Sequence, residues 1–85
     1  MHSYKPQGVC SQLIDVELDG NAIKSVAFTG GCDGNLKAIA RLVQGSDVDQ
    51  VIETLRGNRC GRRPTSCADQ LTYALEEARD KELQS

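Results

Sequence analysis

The 85-residue chain has no tryptophan, one phenylalanine (Phe28), two tyrosines (Tyr4 and Tyr73) and a single histidine, His2. A chain so short of aromatics must build its core from Ala, Val, Leu and Ile, and a core of that kind at this length is marginal. Domains of this size commonly add a disulfide framework or a metal. No run approaches the ~20 apolar residues that span a bilayer. The first twelve residues, MHSYKPQGVCSQ, contain no apolar stretch of the sort a secretory signal needs. Neither sign of charge dominates: ten basic and twelve acidic side chains leave a formal charge of −2. That balance argues against non-specific nucleic-acid binding. The lone histidine falls in a terminus expected to be mobile, which makes it a poor metal ligand and leaves a Cys–His hydrolase without its base. The expectation from these absences is a cytoplasmic chain with no membrane segment. In that compartment thiols stay reduced, and its four cysteines point to metal binding or catalysis rather than disulfides.

What is present has a clear order. Residues 13–18, LIDVEL, alternate, with Ile14, Val16 and Leu18 on one side and Asp15 and Glu17 on the other; this predicts a half-buried strand. DGN at 19–21 is a turn, and AIKSVAFT at 22–29 is a second strand with Val26 and Phe28 pointing inward. A hairpin alone is marginal, so a third strand is expected near residues 3–9, confined to an edge by Pro6. From Leu36 the period changes: Leu36, Ile39, Ala40 and Val43 share a helical face that ends at Gly45. Ser46 or Asp47 caps a second helix carrying Val48, Val51, Ile52 and Leu55, and Gly57 ends it. Ser66 with Asp69 is a capping-box start for a third helix with the stripe Leu71, Ala74, Leu75 and Ala78. The expected fold is a single α+β domain over residues 1–85. A short antiparallel sheet of two to three N-terminal strands is followed by three helices packed on one face.

The cysteines fall at the ends of these elements. Cys10 precedes the first clear strand, Cys32 lies in the Gly-rich turn before helix one, Cys60 follows helix two and Cys67 opens helix three. Loops and helix starts can be aimed at a shared ion in a way that a core position cannot. The partial positive charge at a helix N-terminus favours anionic ligands. Arg56, Arg59, Arg62 and Arg63 cluster around Cys60. Four thiolates on Zn²⁺ carry a formal charge of −2, and guanidinium groups beside them would offset it. The same four arginines could instead bind a nucleotide, RNA or an acidic protein surface. The spacings, with 21, 27 and 6 residues between successive cysteines, are not paired C-x₂-C knuckles. Spacing alone therefore leaves open both a shared metal site and four unrelated small buried residues. GGCDGN at 30–35 lacks both the Lys-Ser/Thr of a P-loop and the three-glycine dinucleotide pattern.

Three segments resemble a known family: GVCS at 8–11, FTGGCDGNLKAIARLVQG at 28–45 and CGRRPTSCADQL at 60–71. They are similar to the small four-cysteine proteins of the TSCPD domain family, named for Thr-Ser-Cys-Pro-Asp. Here the run is Thr65-Ser66-Cys67-Ala68-Asp69, with Ala in the place of Pro. The resemblance covers nearly the whole chain. The domain is also attached to B12-dependent ribonucleotide reductases, so the resemblance implies an accessory role in ribonucleotide reduction, with the reductase or another protein as partner. A more distant resemblance is to iron–sulfur cluster scaffold proteins, whose three cysteine positions match Cys10, Cys32 and Cys67. The scaffold's acid after the first cysteine is absent from Cys10-Ser11-Gln12, its histidine is replaced by Ser66, and Cys60 is extra.

Together the residues and the resemblances give one principal expectation. Cys10, Cys32, Cys60 and Cys67 hold a single metal centre, with zinc the first choice and an iron–sulfur cluster the second. The alternatives are a thiol–disulfide couple of Cys60 and Cys67 serving ribonucleoside-diphosphate reduction, and a binding module that uses the arginines. The chain has no segment to host a radical site or cobalamin, so it is not expected to be a reductase by itself. Oligomeric state is not legible.

Overall fold

The computed structural model describes residues 2–6, 8, 11–30, 33–58 and 65–84. Three strands come first: β1 (His2–Tyr4), β2 (Ser11–Asp19) and β3 (Ala22–Gly30). They form one antiparallel sheet in the order β1-β2-β3. Three helices follow: α1 (Asp33–Val43), α2 (Val48–Leu55) and α3 (Cys67–Gln84). The order is the α+β arrangement expected. The third strand is shorter than its expected span and ends before Pro6, whose missing N–H cannot continue a ladder. His2 does not lie loose at the terminus. It pairs with Val16 inside β1, and its Nε2 is shielded from solvent.

Pairing between strands fixes which side chains face the helices. Ile14 lies opposite Phe28, Val16 opposite Val26 and Leu18 opposite Ile23. Ile23 is odd in a strand whose other inward residues are even, and simple alternation would send it to solvent. The register shifts between Glu17 and Leu18 so that Lys24 has no partner, which is a β-bulge. The extra residue returns Ile23 to the inner face, where it is fully buried. The outer face carries Ser3, Asp15, Glu17 and Ser25, as expected of a sheet with one wet side.

Against the inner face lies α3, whose stripe of Leu71, Ala74, Leu75 and Ala78 is buried with Ile14, Val16 and Ile23 in one core. α1 covers β3, and α2 packs on α3. Asp47 caps α2 and accepts from the Gln50 N–H at 3.0 Å. The linker before α2 joins the sheet: the Ile23 N–H donates to the Ser46 carbonyl at 2.9 Å, and the Gly45 N–H donates to the Ile23 carbonyl at 2.7 Å. At the same end Asn21 donates to Asp47 at 2.8 Å and to Asp49 at 3.1 Å. Arg79 of α3 pairs with Asp49. The hairpin tip, the start of α2 and the later part of α3 are thus tied together by polar side chains. Among the described residues, no helix is long and apolar enough to cross a membrane.

Two outcomes follow. Leu71→Ala should lose about 2–5 kcal/mol of stability in urea unfolding, because the site is closed on all sides, whereas Leu42→Ala, at 82% exposure, should change it by less than about 0.5 kcal/mol. The Arg79 hydrogen bond, followed by that of Asn21, holds the Asp49 carboxyl below the usual carboxylate range. Its contribution is therefore present above the unfolded value of about 3.9 and is lost as pH falls through the lowered one. Asp49→Asn should flatten that acid limb in a pH series of melting temperatures.

Candidate functional site

The end of the sheet opposite the hairpin tip is where β1 ends, β2 begins, β3 ends and both α1 and α3 start. Ser11 and Gly30 pair across it. Of the four cysteines, Cys67 lies among the described residues, and Cys10, Cys32 and Cys60 lie outside them. Arg59, Arg62 and Arg63 also lie outside. Cys67 is the first residue of α3 and is half-buried. Among the described residues, no group of three metal-ligating side chains comes together.

Side-chain hydrogen bonds build the ground on which Cys67 stands. Ser66 is the cap of α3: its hydroxyl accepts from the Asp69 N–H at 3.1 Å and donates to the Asn58 carbonyl. The Asn58 amide donates to the same hydroxyl at 3.3 Å. Asp69 does not serve as a simple capping-box partner. Its carboxylate accepts from the Gly57 N–H at 2.7 Å and from the Thr65 hydroxyl. Arg56, the C-cap of α2, has an extended ψ of 132° that turns the Gly57 N–H out of the helix toward Asp69, and Gly57 then takes the positive φ of +88° that redirects the chain. Gln70 donates to the Thr65 hydroxyl at 3.0 Å, and its carbonyl accepts from the Tyr4 hydroxyl at 3.2 Å. Burial, and then the Glu77 carboxylate, push the Tyr4 phenol upward, so it stays a donor at neutral pH.

The N-terminal segment closes on the same place. Gly8 has φ +72°, and a Cβ there would lie 3.3 Å from the Thr65 Cγ2. The backbone angle favours glycine, and a Cβ would also press Thr65 aside by a few tenths of an ångström. Three contacts therefore gather the described neighbours of the four cysteines: Gly8 with Thr65, Ser11 with Gly30, and Asn58 with Ser66. Beside them, Val26, Phe28, Gly30 and Leu36 line a hollow of about 180 Å³ between β3 and α1.

Arg56 is held within the chain. Its guanidinium bonds Glu76 at 2.7 Å and Thr72 at 3.2 Å, and its carbon sits 4.4 Å from the centre of the Tyr73 ring. Thr72 in turn donates to the Asp69 carbonyl at 2.6 Å. The polar side of α3 is thus fastened to the end of α2 for two turns. Neither the Asp69 bonds nor the Arg56 clasp was expected from the sequence. A hint was available in Thr72, a polar residue directly after the apolar Leu71, which needs a partner if it is buried. Ser66→Ala should cost about 1 kcal/mol by removing the cap of α3, read as a lower urea midpoint with unchanged slope.

The model of one family, the TSCPD domain, matches residues 2–79. No curated protein and no solved structure matches the chain. The matched span takes in the sheet, α1, α2 and α3 as far as Arg79, with the Thr65-Ser66-Cys67-Ala68-Asp69 run at its centre of hydrogen bonding. This chain belongs to the TSCPD domain family.

Proposed function

We propose that the chain is a small metal-binding domain in which Cys10, Cys32, Cys60 and Cys67 hold one Zn²⁺ ion. The observation that carries this reading is the gathering of their described neighbours at one end of the sheet. Cys10 is one residue from Ser11, Cys32 two from Gly30, Cys60 two from Asn58, and Cys67 follows Ser66. Consecutive Cα atoms are about 3.8 Å apart, so two peptide units reach no further than about 7 Å. Each cysteine is thus at most two peptide units along the chain from a residue that makes one of these contacts, which supports a shared site.

The donor set suits the group. Four thiolates make the closed tetrahedral shell of structural zinc, and the same ligands serve an iron–sulfur cluster, the second choice. Ser11 and Gln12 provide no acid of the kind that keeps a scaffold's cluster labile, which favours a stable centre. Arg59, Arg62 and Arg63 adjoin Cys60 and would offset the charge of four thiolates. A shared ion would fasten the hairpin to the helices and supply part of the folding free energy. Within the family, such a domain would act as an accessory to ribonucleotide reduction, beside a catalytic chain. A second reading, a thiol–disulfide couple of Cys60 and Cys67, is favoured by the Asn58–Ser66 bonds, which hold together the neighbours of those two thiols.

Elemental analysis of reduced, untagged protein tests the proposal. About one zinc per chain is expected, with each of the four Cys→Ser variants losing it and melting at a lower temperature. Protein that carries only traces of zinc or iron, and that melts identically with and without a chelator, would remove the metal reading. A reversible two-thiol potential in that metal-free protein would then support the redox couple.

A further inference from the structure

We infer that Asp69 is a positioning residue for the Cys67 thiol, its carboxylate tying the end of α2 to the residue before the cap of α3. The inference rests on the metal-binding reading. Asp69 is 5% exposed. Burying a carboxylate is costly unless donors satisfy it. Among the described residues its donors are neutral, the Gly57 N–H at 2.7 Å and the Thr65 hydroxyl, with help from the helix N-terminus. Capping alone does not require this group, because the Ser66 hydroxyl already takes the Asp69 N–H at 3.1 Å.

What the carboxylate adds is direction. One planar group bonds two segments that are eight residues apart, which fixes their separation. The Thr65 hydroxyl also receives Gln70, and Gln70 receives Tyr4 of β1, so the separation is referenced to the sheet. Cys67 lies two residues from both Thr65 and Asp69, inside this frame. Its position is therefore set by protein hydrogen bonds before any ion arrives, and the ordering cost of binding falls accordingly. Partners bonded directly to a ligand typically govern about 10–100-fold in metal affinity, which sets the upper bound for Asp69, acting through Gly57 and Thr65.

The test uses the full chain with zinc competed against a chelator of known affinity, and with Co²⁺ as a spectroscopic probe. Asp69→Ala should bind zinc more weakly, by up to about 10–100-fold, shift the Co²⁺ ligand-field bands and expose the Gly57 amide to rapid hydrogen exchange. Asp69→Asn keeps an acceptor for Gly57 and should recover most of the affinity. Val51→Ala, which loosens core packing away from this frame, should keep the wild-type zinc affinity in its folded form. If Asp69→Ala fails to fold, Thr65→Val carries the test, with weaker zinc binding and an intact fold expected. Unchanged affinity and spectra in the folded variants, beside a wild type that binds zinc, would overturn the inference alone. A wild type that takes up no zinc would overturn the parent reading and this inference with it.

Discussion

The seating of α3 across the inner face of the sheet is the constraint on which the rest depends. Leu71, Ala74, Leu75 and Ala78 form one buried stripe against Ile14, Val16 and Ile23. Because a helix is rigid, that single packing interaction sets both of its ends. Toward one end, Arg79 meets Asp49 near the hairpin tip. At the other, Thr65 meets Gly8 and Gln70 bonds Tyr4, at the end of the sheet where β1 stops. The apolar core thus decides where a thiol stands, although it makes no statement about chemistry. In a chain with so few aromatics, the core is built from branched aliphatic residues and alanine, and polar clasps at both ends of α3 supplement it.

Much of this was legible in the residues. The alternation of Ile14, Val16 and Leu18, the turn at residues 19–21 and the helical stripes located the elements, because each period is a direct consequence of backbone geometry. Gly45 and Gly57 marked two helix ends, and Ser46 or Asp47 the start of α2, where the structure uses Asp47. The illegible part has a common cause. Ile23 reaches the core through a bulge at Lys24, and a bulge is set by pairing with another strand rather than by local sequence. Helix α1 begins at Asp33, three residues before its apolar stripe does, because a first turn needs no buried face. His2 looked like part of a loose end, yet its strand exists only because β2 offers it a partner.

The same division applies to the site. The cysteines at element ends gave the expectation of a shared site, and the family resemblance could be read from Thr65 to Asp69. The bonds from Asp69 to Gly57, and from Arg56 to Thr72 and Glu76, could not, since they join residues 12 to 20 apart through the return of α3 beside α2. These bonds give the Thr-Ser-Cys-Ala-Asp run a structural role of its own. Its hydroxyls and carboxylate organise the backbone around the one thiol within the described residues, and a metal would close the arrangement that they begin.

The central claim is that four sulfurs from distant parts of the chain share one ion. X-ray absorption at the zinc edge of the reconstituted protein addresses it directly. The account predicts a first shell of four sulfurs near 2.3 Å and no nitrogen or oxygen. A shell dominated by nitrogen and oxygen, or one with two sulfurs or fewer, would contradict it.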